Sequence, residues 1–266
     1  MRTGRWRRRR RGKLARMCGR FAASSKPESI VELFDVEQWD PEETLDPNWN
    51  VAPTNSAFVV LERMSREQPR AVRQLRVLRW GLVPQWSNSA ETAVKMINAR
   101  SDTVHEKPSY RQAFAARRCV LPVDGYYEWQ TLPGERGKAR KKPFFVSRAD
   151  GAPLALAGLY EFWRNRAVPA GHPEAWLVTF TIVTTDAEES LAPIHERMPL
   201  FLDPQSWDEW LDPRLTDPDE LRRLLIPPPP GALLATPVSP AVGSIRNNGP
   251  ELKEPWAEVE YETTLF

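Results

Sequence analysis

The sequence predicts an α+β fold, a single domain with a curved, mainly antiparallel, barrel-like β-sheet core and short peripheral helices. Three observations point there: strand candidates are frequent, helical candidates are short, and no internal repeat divides the chain. Residues 27–34 read as a short amphipathic helix with Ser24 and Ser25 on hand as N-caps. Asn50-Val51-Ala52-Pro53-Thr54 is a turn into a strand at 57–62. A second strand covers 71–78 and is closed by Arg79-Trp80-Gly81-Leu82-Val83-Pro84. Residues 110–116 look helical. The stretches 118–123, 143–148, 154–162 and 176–184 are rich in β-branched or apolar residues bounded by turn chemistry, and read as strands. Residues 131–142 and 165–174 read as loops, the first of them basic. Two late helices, 204–211 and 218–225, each open on a proline at the first turn. A stiff polyproline spacer at 227–230 precedes a last strand at 233–238.

Composition narrows the function classes. A hydrophobic content of 41% supports an ordinary core, and no apolar run approaches the ~18–20 residues of a membrane span. The two cysteines, Cys18 and Cys119, make neither a disulfide framework nor a cysteine-based zinc site. Cys119, in a strand pattern, reads as core. His105, His172 and His195 are scattered without metal-ligand spacing, so no metal or other cofactor is expected. Phosphate-cradling glycine loops are absent. A cytoplasmic, reducing setting follows from the cysteine usage, and a monomer is the expected state. Eleven tryptophans and twenty-six prolines suggest a loop-rich surface with aromatic ledges.

Residues 1–16, MRTGRWRRRRRGKLAR, stand apart as a low-complexity basic leader ahead of a domain at 17–266. The leader lacks the apolar stretch of a secretory signal. Two readings stay open: a basic nucleic-acid arm, or a start codon set too early, with Met17 the true beginning. The second is favoured. The net charge of +2 becomes −7 once the nine basic residues of the leader are set aside. Nucleic-acid binding must then rest on local patches rather than on overall charge.

Four strings combine reactive side chains with turn or strand-end context: Cys18-Gly19-Arg20-Phe21, Ile97-Asn98-Ala99-Arg100-Ser101-Asp102, Asp124-Gly125-Tyr126-Tyr127-Glu128-Trp129 and Ile194-His195-Glu196-Arg197-Met198-Pro199. Each alone is weak. Removal of Met17 would make Cys18 a terminal residue with amine and thiol on adjacent carbons, a pair that closes a five-membered thiazolidine on an aldehyde. The amine titrates at roughly 7.7–8.0 and the thiol near roughly 8.5, so both are partly nucleophilic at neutral pH.

In this order, and together with Asn50-Val51-Ala52-Pro53, Trp80-Gly81-Leu82-Val83-Pro84 and Ile245-Arg246-Asn247-Asn248-Gly249-Pro250-Glu251-Leu252, the strings resemble the SOS response-associated peptidase family, the abasic-site processing proteins. The resemblance runs from Met17 to about Leu252. It implies a partner, single-stranded DNA containing abasic sites, and a covalent thiazolidine between Cys18 and the ring-opened sugar. It also implies that the lesion is shielded, with lyase and crosslink-reversal activities as accompaniments. The family begins Met-Cys-Gly-Arg and loses the methionine, so the leader is a departure that would block this chemistry.

By resemblance, Glu128 is the acid/base carboxylate, set in an apolar wall between Tyr127 and Trp129. His195 is a second proton carrier, and Asn98 positions the amine or the product ring. Arg20 and Arg100 clamp the flanking phosphates, with ordinary ion pairs as the rival reading. Trp86 is a base-stacking aromatic, although the surrounding Gln85-Trp86-Ser87 departs from a double-tryptophan version of the motif. The tyrosines and Trp129 are as well read as core. The basic run at 138–142 is a solvated loop that could graze phosphates. Rival functions are a cysteine peptidase that processes its own N-terminus and a non-covalent single-strand binder. On DNA the protein would sit at the nucleoid.

Overall fold

The computed structural model describes residues 19–257, apart from 66, 68, 135–137 and 228. The expectations for the leader, Met17, Cys18 and Pro228 therefore lie outside the described residues. In chain order the first strands are β1 (Arg20–Ala23), β2 (Gln38–Trp39), β3 (Asn48–Val51), β4 (Ser56–Met64), β5 (Ala71–Trp80) and β6 (Asn98–Arg100). They are followed by β7 (Arg118–Val123), β8 (Gly125–Leu132), β9 (Arg140–Arg148) and β10 (Leu154–Arg164). The last are β11 (Trp176–Asp186), β12 (Arg197–Pro199) and β13 (Leu233–Pro237). The helices are short: α1 (Pro27–Leu33), α2 (Arg111–Ala116), α3 (Trp207–Leu211) and α4 (Pro218–Arg223).

β5, β4, β7, β10 and β11 pair antiparallel in that order, and a parallel β11–β5 contact at Thr179↔Arg79 and Phe180↔Trp80 closes them into a barrel. Closure removes the open edges that a flat sheet would expose. Where β10 leaves β11, β12 takes its place, so the last residues of β11 lie between β12 and β6. A second, antiparallel sheet in the order β13-β9-β8-β1-β3 lies against the barrel.

The period-2 alternation of side chains sorts the core. Val59, Leu61, Leu121, Leu156 and Ile182 share one cluster with Phe21, Tyr126 and Val146 of the second sheet. Phe21 meets Trp80 with ring centroids 4.8 Å apart. The alternate residues Phe58, Val60, Val120, Ala157 and Leu159 face the short helices through Ile30, Phe34, Phe114 and Trp210. β10 is buried on both faces, which explains its almost unbroken apolar run. Cys119 is fully buried in the first cluster, as its strand pattern suggests.

Expectations change at several points. Asn50 and Val51, expected in a turn, are the last residues of β3. The N-cap of α1 is Lys26, without a side-chain bond. Ser24 instead donates its hydroxyl to Asp124 Oδ2 at 2.6 Å, fastening the end of β1 to the start of β8. The expected loop at 131–142 is shorter, because β8 continues to Leu132 and β9 starts at Arg140.

One buried cation fastens the helices to the barrel. Arg118 is enclosed, and its guanidinium donates to the carbonyls of Phe114, Ala115, Trp210, Asp212 and Leu215 at 2.6–3.0 Å. These carbonyls lie at and just beyond the C-terminal ends of α2 and α3, where helices leave acceptors unpaired and negative in sign. Burial lowers the Arg118 pKa to about 10, so the group stays charged at neutral pH.

Candidate functional site

Glu128 lies on β8, one residue beyond the Arg20↔Tyr127 pair with β1 and directly across from Phe144 of β9. It is 4% exposed, and its Oε1 accepts from the Trp129 backbone N–H at 3.1 Å. The apolar wall expected from its neighbours is not built that way. Alternation along the strand sends Tyr127 to the opposite face, with Ala22, Phe145 and Val242, and Trp129 packs at the edge of that cluster. Tyr127 donates its hydroxyl to Trp49 O and is core. The tyrosine on Glu128's own face is Tyr126, also core.

The carboxylate opens onto a cleft of about 430 Å³ lined by Glu128, Trp129, Thr131, Lys141, Ile194, His195 and Gly243. Clefts of this size hold small ligands. His195 stands on a turn whose backbone N–H donates to Leu191 O at 3.1 Å. Its Nδ1 lies 3.1 Å from the Arg197 N–H and 3.2 Å from the Arg197 carbonyl, so the backbone of Arg197 holds the ring in place through that nitrogen in either tautomer. The cleft thus joins a buried carboxyl group to an imidazole. Another cleft of about 360 Å³, between α1 and Pro122 and Pro153, has Glu32 as its one titratable lining residue and offers no such pair.

Arg20 is half-buried and committed inward. Its Nη1 donates to Asn50 Oδ1 at 2.6 Å and Val242 O at 3.0 Å, and Nη2 reaches Gly243 O. Asn50 in turn donates to the carbonyls of Val242, Ser244 and Asn247. This pair holds the late Ser239–Asn247 segment, and with it Gly243, against the cleft. Burial lowers the Arg20 pKa. The phosphate-clamp expectation for Arg20 therefore meets a guanidinium already employed in building the wall.

Asn98 and Arg100 share one face of β6, with Ala99 between them buried in the helix-side cluster. The Asn98 carbonyl accepts from the Tyr110 hydroxyl at 3.1 Å, and burial pushes that phenol up to about 12, keeping it a donor. Arg100 forms a two-pronged pair with Asp102, Nε to Oδ1 at 3.0 Å and Nη2 to Oδ2 at 2.6 Å. Hydrogen bonding from Arg100 brings Asp102 down to about 2. The ion-pair reading describes Arg100 in this state.

Arg197 belongs to the Ile194-His195-Glu196-Arg197-Met198-Pro199 string, whose residue types alone assign it no role. It is 8% exposed on β12. Nη1 donates to Asp186 Oδ1 at 2.7 Å and Nη2 to Thr184 O. Its Nε is buried without a partner among the described residues. Burial first, and then the nearby Arg100 charge, lowers its pKa. Two guanidiniums, Arg100 at the end of β6 and Arg197 at the start of β12, thus sit close enough to repel, each held by its own carboxylate. A lone arginine inside a short apolar strand motif was the signal available in the sequence.

Trp86 does not line this cleft. It is 63% exposed on a loop tethered to β10, where Gln85 Nε2 donates to Glu161 Oε1 and Trp163 Nε1 donates to Ser87 O. The same loop reaches β11 at Thr179 through Val83 N–H. That is about 20 Å of strand from the Asp186 end, where Arg197 and Arg100 gather. Among the described residues, no group of three or more His, Cys, Asp or Glu is placed to hold a metal. No described helix is long and apolar enough to cross a membrane.

Comparison with known proteins follows the same lines. A family model described as SOS response associated peptidase (SRAP) matches residues 17–245. The abasic site processing protein YoqW of Bacillus subtilis is 40% identical over 90% of this chain and 99% of its own. The abasic site processing protein HMCES of Rattus norvegicus is 31% identical over 90% of this chain and 76% of its own. Among solved structures, a protein from Bacteroides thetaiotaomicron superposes with a TM-score of 0.73 at 26% identity, covering 90% of this chain and all of that one. A Bordetella bronchiseptica protein gives 0.64 at 28% identity, covering 84% of this chain and all of that one. On the family match and the identity to these relatives, the chain belongs to the SOS response-associated peptidase family.

Proposed function

We propose that this protein processes abasic sites in single-stranded DNA, by a thiazolidine formed between an N-terminal Cys18 and the sugar aldehyde. The observation that carries the reading is the shared cleft of Glu128 and His195, one residue along β8 from the pair that anchors Arg20. Gly19, the first described residue, immediately precedes Arg20 of β1, which pairs with Tyr127 next to Glu128. Names of relatives such as YoqW and HMCES support the same substrate.

The chemistry balances without a cofactor. Glu128, in its protonated form, gives a proton to the ring oxygen of the closed sugar as the C1′–O bond breaks, and takes back the C1′ hydroxyl proton, so the sugar opens to the C1′ aldehyde. The Cys18 amine adds to that carbon, and water leaves as the imine forms. The Cys18 thiolate then attacks the imine carbon and the nitrogen takes up a proton, so aldehyde plus aminothiol gives thiazolidine plus one water. Ring closure is intramolecular and gains from proximity. The His195 imidazole suits proton delivery to the departing hydroxyl of the carbinolamine. The buried Arg197 donor and the neighbouring Arg100 suit a flanking phosphate. Diversion of the imine into β-elimination would give lyase activity.

The reading requires a chain that starts at Cys18. That form, mixed with single-stranded DNA bearing an abasic site, is expected to give a shifted band on a denaturing gel, and Cys18→Ser to abolish it. Peptide cleavage without a shifted band would favour the peptidase reading instead. Salt-sensitive binding without a shift would leave a non-covalent binder.

A further inference from the structure

The basic run of the β8–β9 hairpin takes no part in the chemistry above, yet the fold sets its members apart. Thr131 and Lys141 face each other across the hairpin, and Gln130 and Lys142 form the next pair. Cross-strand partners share a face and successive residues alternate, so Gln130 and Lys142 fall on the face of Glu128, and Thr131 and Lys141 on that of Trp129, whose side of the hairpin also lines the cleft. Lys142 turns its ammonium over the Phe144 ring, 5.6 Å from the centroid. Lys141 does otherwise. Its Nζ donates to Thr131 Oγ1 at 2.5 Å, and both residues line the Glu128–His195 cleft.

An ammonium has three donors and no acceptor capacity. Thr131 takes one and fixes its direction, and the other two are left for an anion. The lysine is exposed, so it keeps its hydration and its charge until a ligand arrives. A nucleic-acid sugar carries a phosphate on each side, so a strand that puts one sugar between Glu128 and His195 must bring phosphates to the two flanks of the cleft. Arg197 follows His195 by two residues and lies near Arg100, outside the lining of the cleft. Lys141 lines the cleft itself, from the hairpin.

We propose that Lys141, oriented by Thr131, is a phosphate contact on the hairpin side of the cleft, gripping the DNA backbone next to the abasic sugar. The inference rests on the reading that this cleft receives an abasic nucleotide, and adds a phosphate contact to its grip. Phosphate contacts of this kind position a strand without reading its sequence.

The test separates the grip from the covalent step. The probe is single-stranded DNA containing a tetrahydrofuran abasic analogue, which has no aldehyde and cannot crosslink. Binding to the chain starting at Cys18 is measured by fluorescence anisotropy across a salt series. Lys141→Ala is expected to weaken binding about three- to ten-fold near 0.1 M salt and to flatten the log Kd against log salt slope by about 0.7, the value for one phosphate on a single strand. Lys141→Arg should restore both, Thr131→Val should weaken binding part-way, and Lys142→Ala should match the parent. Unchanged melting temperatures guard against a folding artefact, since these side chains sit at the protein surface. Parent-like affinity and slope in Lys141→Ala would overturn the proposal, even if crosslinking to a natural abasic site proceeds. Loss of crosslinking with the Lys141 effect intact would instead overturn the covalent reading and leave the grip standing.

Discussion

Arg118 and Arg197 are both buried guanidiniums with pKa values lowered by burial, but they are employed differently. On the helix side of the barrel, Arg118 has every donor matched to a backbone carbonyl. At the cleft end of β11, Arg197 leaves Nε enclosed without a described partner and lies near a second arginine. A buried donor left unpaired costs about 1–3 kcal/mol. Arg197 thus keeps a donor available that Arg118 does not, and the proposed phosphate contact would be its partner.

The largest effect should come from breaking the stable side. Arg118→Met strips the carbonyls around α2 and α3 of their donor, and is expected to lower stability by about 3–5 kcal/mol. Chemical denaturation would read this loss, while crosslinking per folded molecule should hold. Next comes Glu128→Gln on the cleft side, expected to slow crosslinking about 10²-fold or more with non-covalent affinity preserved. Single-turnover rates against Kd for the tetrahydrofuran probe separate the two quantities.

Arg197→Met sharpens the comparison most. Its ion-pair partner Asp186 is almost fully exposed and can return to water. Stability should therefore move by no more than about 1 kcal/mol, while DNA affinity falls about ten-fold, the size of one charge-assisted phosphate contact. A large stability loss with unchanged affinity would place Arg197 in the class of Arg118.

The smallest effect belongs to Asp102. Its carboxyl lies near 2 in the fold, below its ordinary value of 3.8, so its contribution is full above pH 4 and disappears as pH falls towards 2. Both side chains of the Arg100–Asp102 pair are half exposed, and solvent screening limits the contribution to about 0.5 kcal/mol. Asp102→Asn should flatten the acid limb of the stability profile by that amount. It should also tighten DNA binding about two-fold at low salt, because phosphate no longer competes with a carboxylate for Arg100.

The long barrel strands were legible because alternation or continuous apolarity marks β4, β5, β7, β10 and β11 directly in the residues. The closing β5–β11 contact was not, since it joins segments a hundred residues apart and depends on strand twist. β1 and β8 were not legible as strands, because β1 is only four residues long and a buried acid interrupts the apolar pattern of β8. Ser24 looked like a cap because local pattern cannot show that Asp124 competes for its hydroxyl. In the site, Glu128 and His195 emerged from the order of separated strings, a clue independent of local chemistry. Arg197 and Lys141 required the fold, because only β12 and the hairpin register reveal where their charges lie. Trp86 is exposed on a loop tied to another stretch of the barrel, apart from the lining of the cleft.

The central claim meets its most direct test in mass spectrometry of the adduct formed between the Cys18-initiated chain and an abasic oligonucleotide. The account predicts a mass equal to protein plus oligonucleotide less one water, localised to residue 18 and unchanged by borohydride. An adduct on a lysine, or one that borohydride reduces as an imine, would contradict it.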